Sequence, residues 1–318
     1  MTFWDQGPSY TSLLSDQDSP KVLFDPTQEP VSPKGNIWSS TSITNPDFFL
    51  GTDGKVARFR LCQGQMREDM TSDLSSGVEV VWRNELKGLG FNIVAMIPSG
   101  NDLFVATNGF IICLDANEGE EKWRYLVESL SHKKAHEHHP EHSGFQNETQ
   151  LSLLLSQDKL TVYASVNGHV VAVDATKGIL KWERDFESWT VKNPAINITL
   201  ASDQHIVAVN NGVVMVLEPT HGHINWCAKR KSGFSTVATF GNHVFMAVNE
   251  SIYTFDLDNG NELSHTKIAE TAKTPTALLV DHSGEVPLVF AATFEDVACL
   301  RLDEQGLLSL VWKTHLKG

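Results

Sequence analysis

The sequence predicts an all-β chain of the β-propeller class, built from about six four-stranded blades, or seven. The first observation behind this is a module, Leu160–Phe186, LTVYASVNGHVVAVDATKGILKWERDF. Two apolar runs flank Asn167-Gly168, a second turn signal spans 175–178, and a third run closes on Trp182. That is strand, turn, strand, turn, strand. The second observation is recurrence. Copies run over Leu103–Val127, His205–Arg230, His243–Ala269 and Leu288–Leu316, with a looser one at Phe48–Leu61 that closes later through Val78–Leu86. Asp115, Asp174 and Glu218 each stand eight positions before a tryptophan (Trp123, Trp182, Trp226), and Gly119, Gly178 and Gly222 each lie four positions after the acid. The third is burial patterning: Val170–Val173 and Val213–Leu217 do not alternate polar and apolar, as expected of strands covered on both faces.

Taken in order, residues 1–34 lack the module and carry five prolines, and read as a non-repeat arm. The single propeller domain then spans 35–318. Each copy supplies three strands, and the segment ahead of it supplies a fourth, innermost one: Asn36–Ile43, Phe91–Ile97, Gln150–Leu155, Ile196–Ala201, Ser235–Phe240 and Thr276–Val280. Blade one carries a polar insertion, Cys62–Gly77, that reads as a surface loop. Blade five has Ser264 where the tryptophan is expected, so its seam is looser or filled by a neighbour. Trp189 lies outside the docking register. Between blades two and three, Val127–Gln146 holds five histidines, His132, His136, His138, His139 and His142. Their i, i+4 pairs would share a helix face, as a divalent metal site needs, but Pro140 interrupts a helix. The segment reads as a solvated loop at the mouth of the channel, a candidate lid or binding loop, with no metal assigned.

The run Val173-Asp-Ala-Thr-Lys-Gly-Ile-Leu-Lys-Trp182 resembles the PQQ-like repeat of the quinoprotein-type propellers, and the resemblance covers 35–318 at blade level. It implies tryptophans docked between adjacent blades and turns shaped by the acid and glycine. WD40 fits less well, since the one Trp-Asp pair, Trp4-Asp5, lies outside the repeats. Kelch also fits less well, for want of a Gly-Gly pair. Catalytic members of the resembled family have eight blades, a calcium site and often a disulfide of adjacent cysteines. Six blades and scattered cysteines here point to no quinone and no other cofactor.

Twenty-five basic against 39 acidic residues leave a net charge of −14, which argues against nucleic acid and anionic membranes as partners. No run is long enough for a membrane span. The N-terminus reads as no signal peptide, so the expectation is a cytoplasmic protein, or one of the secretory pathway if a leader has been removed. Cys113 and Cys299 sit in apolar runs and read as buried thiols, which favours a reducing compartment. The sequons at Asn147, Asn197 and Asn249 carry little weight, because a chain rich in Asn, Ser and Thr shows about as many by chance, and Asn197 also falls in an inner strand.

No GxSxG, HExxH, P-loop or GxGxxG motif occurs. What remains is the channel lining: Trp38, Ser40, Thr41, Asn92, Met96, Gln150, Asn197, Thr199, Thr236, Thr239 and Thr276. Asn108, Asn167, Asn210, Asn211 and Asn249 are turn formers first. Neutral hydrogen-bonding groups suit an uncharged ligand. Two functions follow. The first is a non-catalytic propeller presenting loops to a protein partner or small ligand, as PQQ-like propellers in assembly factors do. The second is a cofactor-independent isomerase, cyclase or pericyclase with its site at the channel mouth, acting by orientation.

Overall fold

The computed structural model describes residues 39–42, 47–52, 54–61, 78–86, 94–107, 109–127, 152–166, 168–186, 196–202, 204–268, 275–284, 286–293 and 295–315. Their strands form six four-stranded antiparallel sheets, each a run of consecutive strands. Blade one is β1 (Ser39–Ser42), β2 (Asp47–Thr52), β3 (Lys55–Leu61) and β4 (Val78–Asn84). Blade two is β5 (Ala95–Ser99), β6 (Asp102–Thr107), β7 (Phe110–Asp115) and β8 (Glu121–Leu126). Blade three is β9 (Ser152–Leu155), β10 (Thr161–Val166), β11 (His169–Asp174) and β12 (Leu180–Asp185). Blade four is β13 (Asn197–Ser202), β14 (His205–Asn210), β15 (Val213–Leu217) and β16 (Ile224–Lys229). Blade five is β17 (Ser235–Phe240), β18 (His243–Val248), β19 (Ser251–Asp256) and β20 (Glu262–Lys267). Blade six is β21 (Pro275–Asp281), β22 (Leu288–Thr293), β23 (Asp296–Leu302) and β24 (Leu308–His315). Each expected innermost strand is the first strand of its sheet, and β17 matches its sequence-based bounds to the residue.

The blades belong to two compact units, one carrying β1–β8 and the other β9–β24. Within each, the apolar middle strands make the core. β10, β11 and β15 are buried almost throughout because each sheet face is covered, so alternation has no advantage there. The outer strands are more exposed, and β16 and β24 expose most of their residues.

One irregularity repeats in all six blades. The pairing of third and fourth strand shifts by one residue, at Arg58/Phe59, Cys113/Leu114, Ala172/Val173, Val216/Leu217, Thr254/Phe255 and Cys299/Leu300. In every case the residue just past the shift is the tryptophan or its replacement: Trp82, Trp123, Trp182, Trp226, Ser264 and Trp312. A bulge bends its strand and re-aims a side chain. Here it turns the indole out of its own sheet.

Three seams show where the indole goes. Trp82 donates its Nε1–H to the Ala116 carbonyl at 3.1 Å, Trp182 to Pro219 at 2.7 Å and Trp226 to Leu257 at 2.6 Å. Each accepting carbonyl lies three residues before the turn glycine of the next blade. Gly119, Gly222 and Gly260 have φ of +75°, +69° and +74°, and a Cβ on any of them would come within 2.6 Å of the docked ring. Glycine is therefore required twice, by backbone conformation and by lack of space. The residue two after the tryptophan adds a clasp: Asn84 Nδ2 donates to the Gly119 carbonyl at 2.7 Å and Arg184 Nε to that of Gly222 at 2.9 Å. Between blades four and five, Arg230 lies over the rings of Tyr253 and Phe255 and pairs with Glu262.

The seam between blades five and six differs. Ser264 Oγ donates to the Gly306 carbonyl at 3.0 Å, and the place over Gly306 is taken by Leu263 and His243. Trp312 keeps the register but is 43% exposed, resting against Phe290 of its own sheet.

Candidate functional site

Along the inner edge of the second unit, the polar side chains join one blade to the next. Asn197 Nδ2 donates to the Ser235 carbonyl at 2.8 Å. Ser165 Oγ donates to the Ile196 carbonyl at 2.6 Å, with Ser152 Oγ on the same oxygen at 3.4 Å. Thr239 Oγ1 donates to the Leu200 carbonyl at 3.4 Å. Ser235 Oγ accepts from the Gly212 amide at 2.7 Å and donates to the Gly233 carbonyl at 3.0 Å, closing the loop that leads into β17. A buried main-chain oxygen without a partner is costly, so these groups have a structural task that the sequence did not reveal. Ser152, Ser165 and Ser235 were not singled out from the sequence. Their signal is position alone: a small hydroxyl near the end of a strand, where one blade meets the next.

The other residues expected to line the channel are placed as follows. Thr236 is buried and Thr199 is half-buried. Met96 is buried in the apolar cluster of the first unit, 3.2 Å from where a Cβ on Gly51 would stand. It has no exposed face to offer a ligand. Ser40 and Thr41 lie in β1 and Thr276 in β21, with side chains outside the described residues. Trp38, Asn92 and Gln150 fall outside them altogether, as do His132, His136, His138, His139 and His142, the Cys62–Gly77 insertion, Trp189 and the proline-rich arm. Asn211 and Asn249 have φ of +47° and +51°, the left-handed conformation of a turn former.

The charged groups serve turns and seams. Asp174 Oδ1 accepts from the Thr176 hydroxyl at 2.7 Å and from the amides of Thr176 and Lys177 at 2.9 Å. These bonds, the hydroxyl first, hold its pKa below the ordinary carboxylate value. Asp115 is likewise lowered, first by the ammonium of Lys122. In the first unit Asp47 is buried between two guanidinium groups. Arg60 Nε donates to it at 2.8 Å and Arg58 Nε at 3.0 Å, and Arg58 Nη1 reaches on to the Ala116 carbonyl at 2.9 Å. Arg60, then Arg58, depress the Asp47 pKa against the opposing effect of burial. Burial pushes the Cys113 thiol up to about 12, so Cys113 is an inert core residue, as is buried Cys299. Cys227 is exposed. Among the described residues, no three His, Cys, Asp or Glu side chains converge as metal ligands would.

Comparison with known proteins bears on the fold. The profile of the EMC1 N-terminal beta-propeller domain matches residues 143–241. No curated protein sequence matches the chain. BamB from Moraxella catarrhalis superposes with a TM-score of 0.58 at 20% identity, over 86% of this chain and 74% of that one. The fold is that of a β-propeller. Sqt1 from Saccharomyces cerevisiae superposes with a TM-score of 0.57 at 13% identity, over 86% of this chain and 69% of its own. The quinohemoprotein alcohol dehydrogenase ADHIIG from Pseudomonas putida HK5 gives 0.52 at 14% identity, over 70% of this chain and 41% of that enzyme. Along β9, β13 and β17 no carboxylate is present to hold the metal ion of a quinoprotein site, and Asn197, Ser165 and Thr239 are bonded to neighbouring carbonyls, so these strands do not fit that group. Among the described residues no helix is long and apolar enough to cross a membrane.

Proposed function

We propose that the chain is a non-catalytic propeller that offers its turns and inter-blade loops to a protein partner. One observation carries this reading. Three neutral polar residues of the inner edge, Asn197, Ser165 and Thr239, are bonded to main-chain oxygens of the adjacent blade. Releasing one to a ligand would leave a carbonyl unsatisfied, at about 1–3 kcal/mol each. An enzyme relying on these three groups would loosen its own seams on every turnover. The titratable groups point the same way, because those with lowered pKa values are carboxylates engaged in turn formation and ion pairs. Among the described residues, no carboxyl with a resolved shift is raised into the range of a general acid.

The test places photo-crosslinking residues singly at exposed turn positions and along β13 and β17 of the intact protein in extract of its source organism. A single protein captured in stoichiometric yield through turn positions supports the reading. Turnover of a small molecule that Asn197→Ala and Thr199→Ala abolish, with folding unchanged, would overturn it in favour of an isomerase- or cyclase-type enzyme.

A further inference from the structure

We draw no further inference here: the strongest candidate, the surface patch of blade six where Leu279, Leu310, Val311 and Trp312 are exposed, carries nothing because nothing in the structure shows what covers it.

Discussion

The seam between blades three and four and the seam between blades five and six meet the same demand with different parts. Both must cover a left-handed glycine turn and satisfy the carbonyls around it. At the first, one indole does both: Trp182 fills the space over Gly222 and its N–H reaches Pro219, with Arg184 clasping the Gly222 carbonyl. At the second, the tasks are divided. Leu263 and His243 fill the space over Gly306, and Ser264 and Thr266 take the carbonyls of Gly306 and Leu308 at 3.0 and 3.2 Å. A seam therefore needs a volume and a donor at a fixed place, and one residue or several can supply them. Dividing the tasks also divides the consequences of mutation.

The largest expected effect follows from concentrating both tasks in one side chain. Trp182→Ala removes a 7%-exposed indole together with the donor to Pro219, and should cost about 4 kcal/mol by urea denaturation. No single truncation at the Ser264 seam should approach that. Leu263→Ala loses volume but no seam donor, and Ser264→Ala loses a donor but little volume. Equal losses at the two seams would show that the tryptophan register is decorative.

The glycines sharpen the contrast. Gly222→Ala meets a left-handed backbone and a rigid ring at 2.6 Å, for about 3 kcal/mol in all. Gly306→Ala has the same backbone handicap at φ +82°, but its neighbours are the end of the Leu263 side chain at 2.7 Å, which can rotate away, and the edge of the half-buried His243 ring at 2.9 Å. About 1–2 kcal/mol is expected there. The difference between the two melting curves measures the stiffness of the indole directly.

Part of this arrangement was legible in the sequence. The acid, the glycine four residues on and the tryptophan eight on gave the turn, its left-handed position and the class of fold, and Ser264 marked the exceptional seam. The bulge was present in the same spacing but unreadable as such. An eight-residue interval contains the extra residue (Lys122, Lys181 or Asn225) without saying which strand carries it. The inner-edge polar residues were legible as residues, but not the carbonyls to which Asn197 and Thr239 are bonded. Sequence shows that Asn197 is polar and on an inner strand, but not that a carbonyl of the next blade lies 2.8 Å away. Whether a side chain faces open space or a neighbouring strand depends on inter-blade distance, which no periodicity encodes. The Asp47–Arg58–Arg60 cluster was missed although Arg58 and Arg60 are alternate residues of one strand. Its partner lies across a turn, and only register brings Asp47 opposite Arg60.

That cluster extends the comparison to the first unit, where an ion pair reinforces the Trp82 seam through Arg58 and Ala116. Asp47→Asn should cost about 2 kcal/mol, less than a fully buried pair because Arg60 is half in solvent. The pH dependence identifies the cause. The folded-state pKa of Asp47 lies below its ordinary value of 3.8. Its contribution is therefore fully present above that value, and is lost as pH falls from there through the folded pKa. The wild-type protein should lose stability more steeply than Asp47→Asn below about pH 4, and the two should run parallel above pH 5. Curves that stay parallel through the acid range as well would assign the loss to packing.

The smallest effect is expected at Ser264 itself. Its hydroxyl donates to the Gly306 carbonyl and also lies 3.0 Å from Thr254 Oγ1. In Ser264→Ala the Thr254 hydroxyl, fully buried, loses its hydroxyl neighbour, and the Gly306 oxygen loses its donor. Thr266 still holds the Leu308 carbonyl two residues on, so the turn stays in place. The cost should be about 1 kcal/mol, that of one net hydrogen bond. Ser264→Trp is the informative companion. If the seam were merely a tryptophan seam with a vacancy, restoring the indole would stabilise it. Because Leu263 and His243 already occupy the space over Gly306, the indole should instead destabilise by overpacking, and Leu263→Ala should relieve that loss in the double variant.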